Sequence, residues 1–414
     1  MRMRLTIDRM AGQGDGVAAG PDGPVFVAHV LPGERVEVEV AEGRGEVLEI
    51  VEASPDRVTP PCVHFADCGG CALQHWAGAP YLDWKRAQVV RTLAREGVEA
   101  EVAPTVATPP GARRRLSLHA RRGPDGQVAL GFKARKSWRL VEIRQCVIAD
   151  PRLVAALPGL RGLAATLFEH PKSAPTLHVT LTDTGLDVEV SGVERRSGGL
   201  SGDGRARAIA AAVRADLARL SLGGEVLVMQ RAPVVTFGKA TVALPPGGFL
   251  QASPPAEAAM SALVLEATAG AKRIADLFCG AGTFTFPLAG IAPVTAADSS
   301  VAAIEALKRG VGTAQGLKPI RAEARDLFRR PLSPFDLKGC DALVLDPPRA
   351  GAADQVAQIG GTGAATVAYV SCNPATFARD AAVLIAAGFR LEAVTPIDQF
   401  LWSGHIELVG VFRR

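Results

Sequence analysis

From residue 249 to the C-terminus, short apolar runs alternate with stretches of helical spacing. No other feature constrains the fold of this chain as much. Residues 273–278, 294–297, 341–345 and 364–370 are such runs, and residues of a helical pattern lie between them. Apolar runs lacking a polar alternate position need cover on both faces, which a parallel sheet with crossover helices supplies. The expected unit is a doubly wound, βαβαβ parallel sheet. Each run also stops at a turn of chemically capable residues, and ligands of such sheets bind beyond the carboxyl ends of the strands. Cys372 follows one run, with Asn373 and Pro374 forcing a turn. Asp346, Pro347, Pro348 and Arg349 follow another, and Cys279-Gly280-Ala281-Gly282 a third.

The glycine turn lets a ligand approach the backbone, and Phe278, Gly280 and Gly282 are its expected contacts. The third glycine of a dinucleotide fingerprint is missing. Asp298, ending the 294–297 run, is placed to hold both hydroxyls of a ribose, and Asp326 to meet an adenine amine. The combination favours an adenosine ligand such as S-adenosylmethionine over NAD. Simple helix capping is the competing reading of both aspartates. Ahead of the first run, Phe249-Leu250-Gln251-Ala252-Ser253 leads into a helix with Ser253 as N-cap, Pro254 at its first position and Gly270 past its end.

Upstream, 414 residues exceed one ordinary core, so two or three domains are expected. Residues 1–57 alternate apolar and polar positions between glycine turns, the pattern of a small OB-like β-barrel or of a purely structural β-module. Cys62, Cys68 and Cys71 sit in a Gly/Pro-rich loop, and Cys146 follows. Four thiolates at this spacing suit a structural zinc or a four-iron cluster alike. Residues 74–98 have helical spacing. Residues 111–145 then hold ten basic side chains, among them Arg113, Arg114 and Arg115, against Asp125 and Glu142 alone. Alternating apolar positions there imply strands with arginines on an open face, suited to phosphates. A merely solvated face mixes signs more evenly. Residues 147–245 read as helix, strand, helix, strand over 153–168, 178–191, 206–220 and 226–235, and carry no assigned chemistry. The expected domains are 1–57, 58–245 and 246–414.

Net charge is only +4, too little to identify a nucleic-acid binder without that local patch. The basic start, Met1-Arg2-Met3-Arg4, is followed by Gly-rich polar sequence, which reads as no secretory leader. No apolar run approaches the roughly 20 residues that span a bilayer. Seven unevenly spaced cysteines fit a reducing cytoplasm better than a disulfide framework.

Several stretches resemble the RNA uracil-C5 methyltransferase family, specifically its iron–sulfur branch acting on 23S ribosomal RNA. They are FLQAS at 249–253, DLFCGAGTFTFPLA at 276–289, DPPRAG at 346–351, YVSCNPATFARD at 369–380 and HIE at 405–407. The resemblance covers essentially the whole chain and is weakest over 147–245. Thr283, Asp298 and Ser253 depart from the family's usual Asn, Glu and Asn, and residues 400–404 from its usual Phe-Pro-His-Thr run. The resemblance implies a class I, Rossmann-like methyltransferase domain, a [4Fe-4S] cluster on Cys62, Cys68, Cys71 and Cys146, and an N-terminal TRAM barrel that binds RNA. A cytoplasmic monomer acting on RNA, without membrane attachment, is the corresponding expectation.

Carbon 5 of uracil is too poor a nucleophile to take a methyl group unaided. A thiolate added at carbon 6 makes it an enolate, and a base must then remove the carbon 5 proton. The resemblance gives Cys372 the first role and Glu407 the last. Asp346 is expected at the uracil edge, with Gln251 and Phe249 lining the donor and base pocket. An amino-group methyltransferase needs an aromatic residue where Arg349 stands. Methylation of transfer RNA, or RNA binding without catalysis, are the remaining alternatives.

Overall fold

The computed structural model describes residues 1–193 and 199–414. The C-terminal sheet has eight strands, in the order Ile320–Ala324, Val294–Asp298, Ile274–Leu277, Ala342–Leu345, Thr366–Ser371, Glu407–Arg413, Arg390–Ile397 and Glu101–Val102. The first five run parallel. Every side chain of Ala342–Leu345 and Thr366–Ser371 is buried, as helices on both faces require.

The expected all-parallel sheet is corrected at its far end, where Glu407–Arg413 runs antiparallel to both neighbours. Only residues 398–406 join it to Arg390–Ile397, too few for the dozen or more that a parallel crossover needs. The reversal has a functional consequence. An antiparallel strand begins at the rim where its parallel neighbours end, so Glu407 starts beside Ile397 while its successor Leu408 pairs with Ser371.

Packing crosses the expected domain limits. The helix Gly78–Arg95 buries Val89 and Leu93 in the cluster that contains Phe377 and Phe412, and Glu101–Val102 extends the C-terminal sheet. The hairpin of Val234–Phe237 and Ala240–Ala243 lies in the core formed by Ile274, Phe286 and Leu307. The central unit is a seven-stranded sheet spanning Arg115–Arg122 to Glu225–Met229. The single strand expected over 178–191 is a hairpin, Thr176–Thr182 with Gly185–Ser191, because Gly185 takes φ 127° and turns the chain.

At the N-terminus six strand segments form one sheet whose two edges are Arg2–Thr6 and Arg9–Met10, successive pieces of one bent stretch. Among the described residues no helix is long and apolar enough to cross a membrane.

Candidate active site

Cys372 follows the last residue of Thr366–Ser371 and precedes the helix Pro374–Ala386. Asn373 fixes it from the helix side: its Oδ1 accepts from Ala375 N at 3.1 Å, and its Nδ2 donates to Arg349 O at 3.0 Å. The 346–352 loop is tied to the same helix through buried Asp380, which accepts from Ala352 N at 2.7 Å and from Tyr369 Oη at 2.6 Å. Gly351 has φ 79°, and a Cβ there would meet Asp380 Oδ2 at 2.7 Å. Any side chain would break the lock.

One cavity of about 630 Å³ receives Phe249, Gln251, Phe278, Gly280, Asp298, Asp346, Cys372 and Glu407, residues from six separate stretches of sequence. Gln251 is 2% exposed, whereas Phe249 is 65% exposed. Phe278 adopts φ 63°, a costly conformation for a bulky residue, and packs 5.5 Å from the Phe328 ring. At Gly280 a Cβ would meet nothing, so the backbone is open to a ligand. At Gly282 it would lie 2.6 Å from the Phe286 ring, so that glycine serves packing behind the wall. Asp298 Oδ2 accepts from Gly280 N at 3.0 Å and Oδ1 from Ser300 N at 2.7 Å, joining two strand ends.

Two expectations are corrected. Asp326 is not on the cavity wall; its Oδ1 caps the following turn, accepting from Phe328 N at 3.0 Å, and Leu327 and Phe328 line the cavity instead. Ser253 precedes the helix Pro254–Ala267, but its buried hydroxyl makes no capping bond.

A row of buried polar groups spans the floor. Gln251 Nε2 donates to Asp346 Oδ2 at 3.1 Å. Gln399 Nε2 donates both to Gln251 Oε1 at 3.0 Å and to Glu407 Oε2 at 3.2 Å. Burial pushes the Glu407 carboxyl up to about 7, against the opposing effects of Gln399 and the Arg349 guanidinium. Burial, then the neighbouring Glu407, raises the Asp346 carboxyl well above its ordinary value. The Cys372 thiol is pushed up to about 11 by burial, then by Glu407 and Asp346, with Arg349 opposing. Two carboxylates and a thiolate cannot all be charged here together, and a cation entering the cavity would favour the anions. The arrangement suits a thiol nucleophile, a carboxyl base and a positively charged co-substrate.

Residues 234–414 match the family described as tRNA (Uracil-5-)-methyltransferase. An RNA methyltransferase of Caulobacter vibrioides is 58% identical over 412 residues, 99% of each chain. A 23S rRNA (uracil(1939)-C(5))-methyltransferase of Halomonas elongata is 36% identical over 439 residues, covering 98% of this chain and 88% of the relative. The chain belongs to the RNA uracil-C5 methyltransferase family. It is an S-adenosylmethionine-dependent RNA methyltransferase. The tRNA (uracil-54, C5)-methyltransferase of Pyrococcus abyssi, solved in complex with S-adenosyl-L-homocysteine, matches its fold with a TM-score of 0.75 at 25% identity, over 99% of this chain and 100% of that one.

The methyltransferase has a second cavity, of about 390 Å³, lined by Cys62, Cys68, Cys71 and Cys146, all free thiols. Burial is the largest influence raising the Cys68, Cys71 and Cys146 thiols, Cys71 to about 12. The donor set suits a thiolate-bound group whose cationic metal would offset that cost. Among the described residues no three His, Cys, Asp or Glu side chains form a preassembled metal site. Arg349 and Phe400 line both cavities, so the two share a wall.

The open arginine face is corrected at Arg113, Arg114 and Arg115. Arg114 Nε donates to Gln251 O at 2.9 Å and its guanidinium pairs with Glu257. Arg115 Nη1 donates to Leu250 O at 2.7 Å, and its guanidinium lies 5.3 Å from the Phe249 ring. Arg113 stands 5.7 Å over the Phe400 ring. Arg114 and Arg115 hold the 249–252 segment in place, because its irregular backbone leaves carbonyls with no sheet partner, while Arg113 Nε donates to Arg115 O at 2.9 Å.

Gln399 and the groups behind it escaped the sequence reading. The criterion that found Cys372 and Asp346, polar residues just beyond a buried strand, also selects Asp398 and Gln399 after Arg390–Ile397. Asp398 is fully buried against Lys85, whose Nζ also donates to His405 O at 2.7 Å. Nothing in the spacing of helix Gly78–Arg95 marks Lys85 as the partner of a residue 313 positions away.

Proposed function

We propose that this enzyme methylates carbon 5 of a uridine in 23S ribosomal RNA through a covalent adduct of Cys372 Sγ with carbon 6. The carrying observation is the convergence of Cys372, Glu407 and Asp346 in a cavity whose wall includes the glycine turn and Asp298. S-adenosylmethionine, when bound, supplies an electrophilic methyl group on a cationic sulfur. The Cys372 thiolate adds to carbon 6, leaving carbon 5 of the enolate to take the methyl group. Glu407 then accepts the carbon 5 proton, the ring double bond re-forms, and the thiolate leaves. Gln251 and Asp346 hold the uracil edge and the donor, and Asp298 the ribose of the donor. The orphaned Oε1 of Gln399, buried on the cavity wall, faces the same space. It suits the N3–H of uracil, which cytosine lacks. A stacked base cannot reach such a pocket, so the target is a loop uridine or is flipped out.

The four cysteines are read as ligands of a [4Fe-4S] cluster with a structural role. The N-terminal sheet is read as a TRAM-type, OB-like RNA-binding barrel, supported by the bent stretch at its two edges. The working domains are 1–57, 58–245 and 246–414, with residues 78–102 and 234–243 of the middle one packed into the C-terminal core, in a cytoplasmic monomer. A second reading, methylation of transfer RNA, draws support from the family description and the Pyrococcus abyssi structure.

Incubation with labelled donor and either 23S ribosomal or transfer RNA, followed by mapping of the modified base, tests the reading. Label at carbon 5 of one 23S uridine is expected. Label confined to transfer RNA favours the second reading, and label on an exocyclic amine or a ribose overturns both.

A further inference from the structure

Among the described residues two aromatics outside the reaction cavity are almost fully exposed, Phe335 and Trp138, and only Trp138 stands beside a cationic groove. Trp138 is 86% exposed, more than any other large apolar side chain among the described residues. Large aromatics are normally mostly buried, so such exposure needs a reason. Its hairpin joins Val128–Lys133 to Leu140–Glu142 and is held rigid. Within it, Ala134 N donates to Arg139 O at 2.8 Å and Ser137 N to Ala134 O at 3.2 Å. Outside it, Arg135 and Lys136 each reach Asp15 of the N-terminal sheet at 2.8 Å, and Arg139 reaches Asp67 at 2.8 Å. The cysteine loop supports its base, with Gly69 N donating to Lys133 O at 3.0 Å. The N-terminal unit, through Asp15, and the cysteine loop, through Asp67 and Gly69, thus hold the hairpin that presents the indole to solvent.

The surroundings of the ring are cationic. Lys133 Nζ lies 3.8 Å from its centroid. An open groove of about 900 Å³ beside it is lined by Arg121, Arg122, Lys133, His119 and Phe168. Among the described residues the one acid on that wall, Glu169, is already engaged by Arg207 and Ser201. None of the groove's lining residues lines the reaction cavity. A protein partner would want a broader apolar patch around a single tryptophan. An indole among cations matches an unpaired nucleotide, with its base on the ring and its phosphates on the arginines.

We propose that Trp138, with Lys133 and Arg121, forms a stacking platform for an unpaired nucleotide of the substrate RNA, separate from the target uridine. It rests on RNA being the substrate but not on which base is methylated. The platform holds the RNA and contributes nothing to the methyl-transfer step.

The test uses the full chain without methyl donor, so binding is read independently of turnover, and labelled 23S RNA fragments as probe. Trp138→Ala should weaken binding roughly five- to a hundred-fold, the range for loss of one stacked base, with little change in salt dependence. Trp138→Phe, which keeps a ring, should retain most of the affinity. Arg121→Gln should flatten the logarithmic salt dependence by about 0.7, one single-strand phosphate. With donor present, Trp138→Ala should raise KM for RNA and leave kcat unchanged. RNA affinity and KM equal to wild type in Trp138→Ala would overturn the platform, whatever base the enzyme modifies. So would an equal loss in Trp138→Phe.

Discussion

At the scale of residues, the site is a problem of too many acids in too little water. Gln251 and Gln399 partly solve it by placing amide groups between Asp346 and Glu407. If Glu407 acts only on the carbon 5 proton, Glu407→Gln blocks the last step alone. It should therefore accumulate a covalent protein–RNA adduct on a denaturing gel with labelled RNA and donor. Cys372→Ala should form none, and the double variant should behave like Cys372→Ala. Loss of activity in Glu407→Gln without adduct would move the base elsewhere, with Asp346 first in line. The same carboxyl gives a stability prediction. Glu407 keeps its proton to about 7 in the fold, against an ordinary 4.5. Between those values the folded chain binds more protons than the unfolded one, so stability falls as pH rises. Glu407→Gln should then stabilise the protein above pH 7 by up to about 3 kcal/mol, an advantage that fades toward pH 4.5. Thermal midpoints across that range check it, and a pH-independent difference would refute the buried, protonated carboxyl.

At the scale of elements, the sequence was most readable where buried strands end. Cys372, Asp346 and Asp298 follow apolar runs that stop at polar turns, and the structure brings these three to one cavity. The direction of the last strand was less readable, because an apolar run is the same whether it pairs parallel or antiparallel. Only the short 398–406 connection carries that information, and it explains how Glu407 reaches the rim. The arginines at 113–115 misled for a related reason: a run of like charge marks a basic segment but not which backbone carbonyls will claim it. Lys85 was invisible for the same cause, since its partner lies on the loop that follows Arg390–Ile397. Both groups are fully buried, and Tyr81 Oη donates to the same Asp398 oxygen at 2.9 Å. Lys85→Met leaves Asp398 charged and buried, a change that typically costs about 3–5 kcal/mol. Its thermal midpoint should fall sharply, and adding Asp398→Leu should recover part of the loss. Additive losses in the double variant would show that the two do not act as a pair.

At the scale of the whole molecule, the cysteine cavity and the reaction cavity are coupled by chain connectivity as well as by a shared wall. Ala72 N and Leu73 N, beside Cys71, donate to Trp402 O at 2.8 and 3.1 Å. Trp402 N in turn donates to Tyr81 Oη at 2.8 Å, and His405 Nδ1 accepts from Arg349 at 2.8 Å. The loop that ends in Glu407 is thus clamped between the cysteine loop and the helix Gly78–Arg95. Unligated, the Cys68, Cys71 and Cys146 thiols, raised by desolvation, would clamp it poorly by themselves. A cluster bound by all four would cross-link residues 62–71 to Cys146 and stiffen this clamp. Anaerobically purified protein should therefore be brown and contain iron and sulfide in about a four-to-four ratio per chain. Removing the iron by oxidation and chelation should speed amide exchange at Ala72, Leu73 and Trp402 more than in the strand Ala342–Leu345. RNA methylation should fall with that exchange, while donor binding to the glycine turn and Asp298 is retained. Stoichiometric zinc with no iron would sink the cluster, and unchanged exchange at Trp402 after metal removal would sink the clamp.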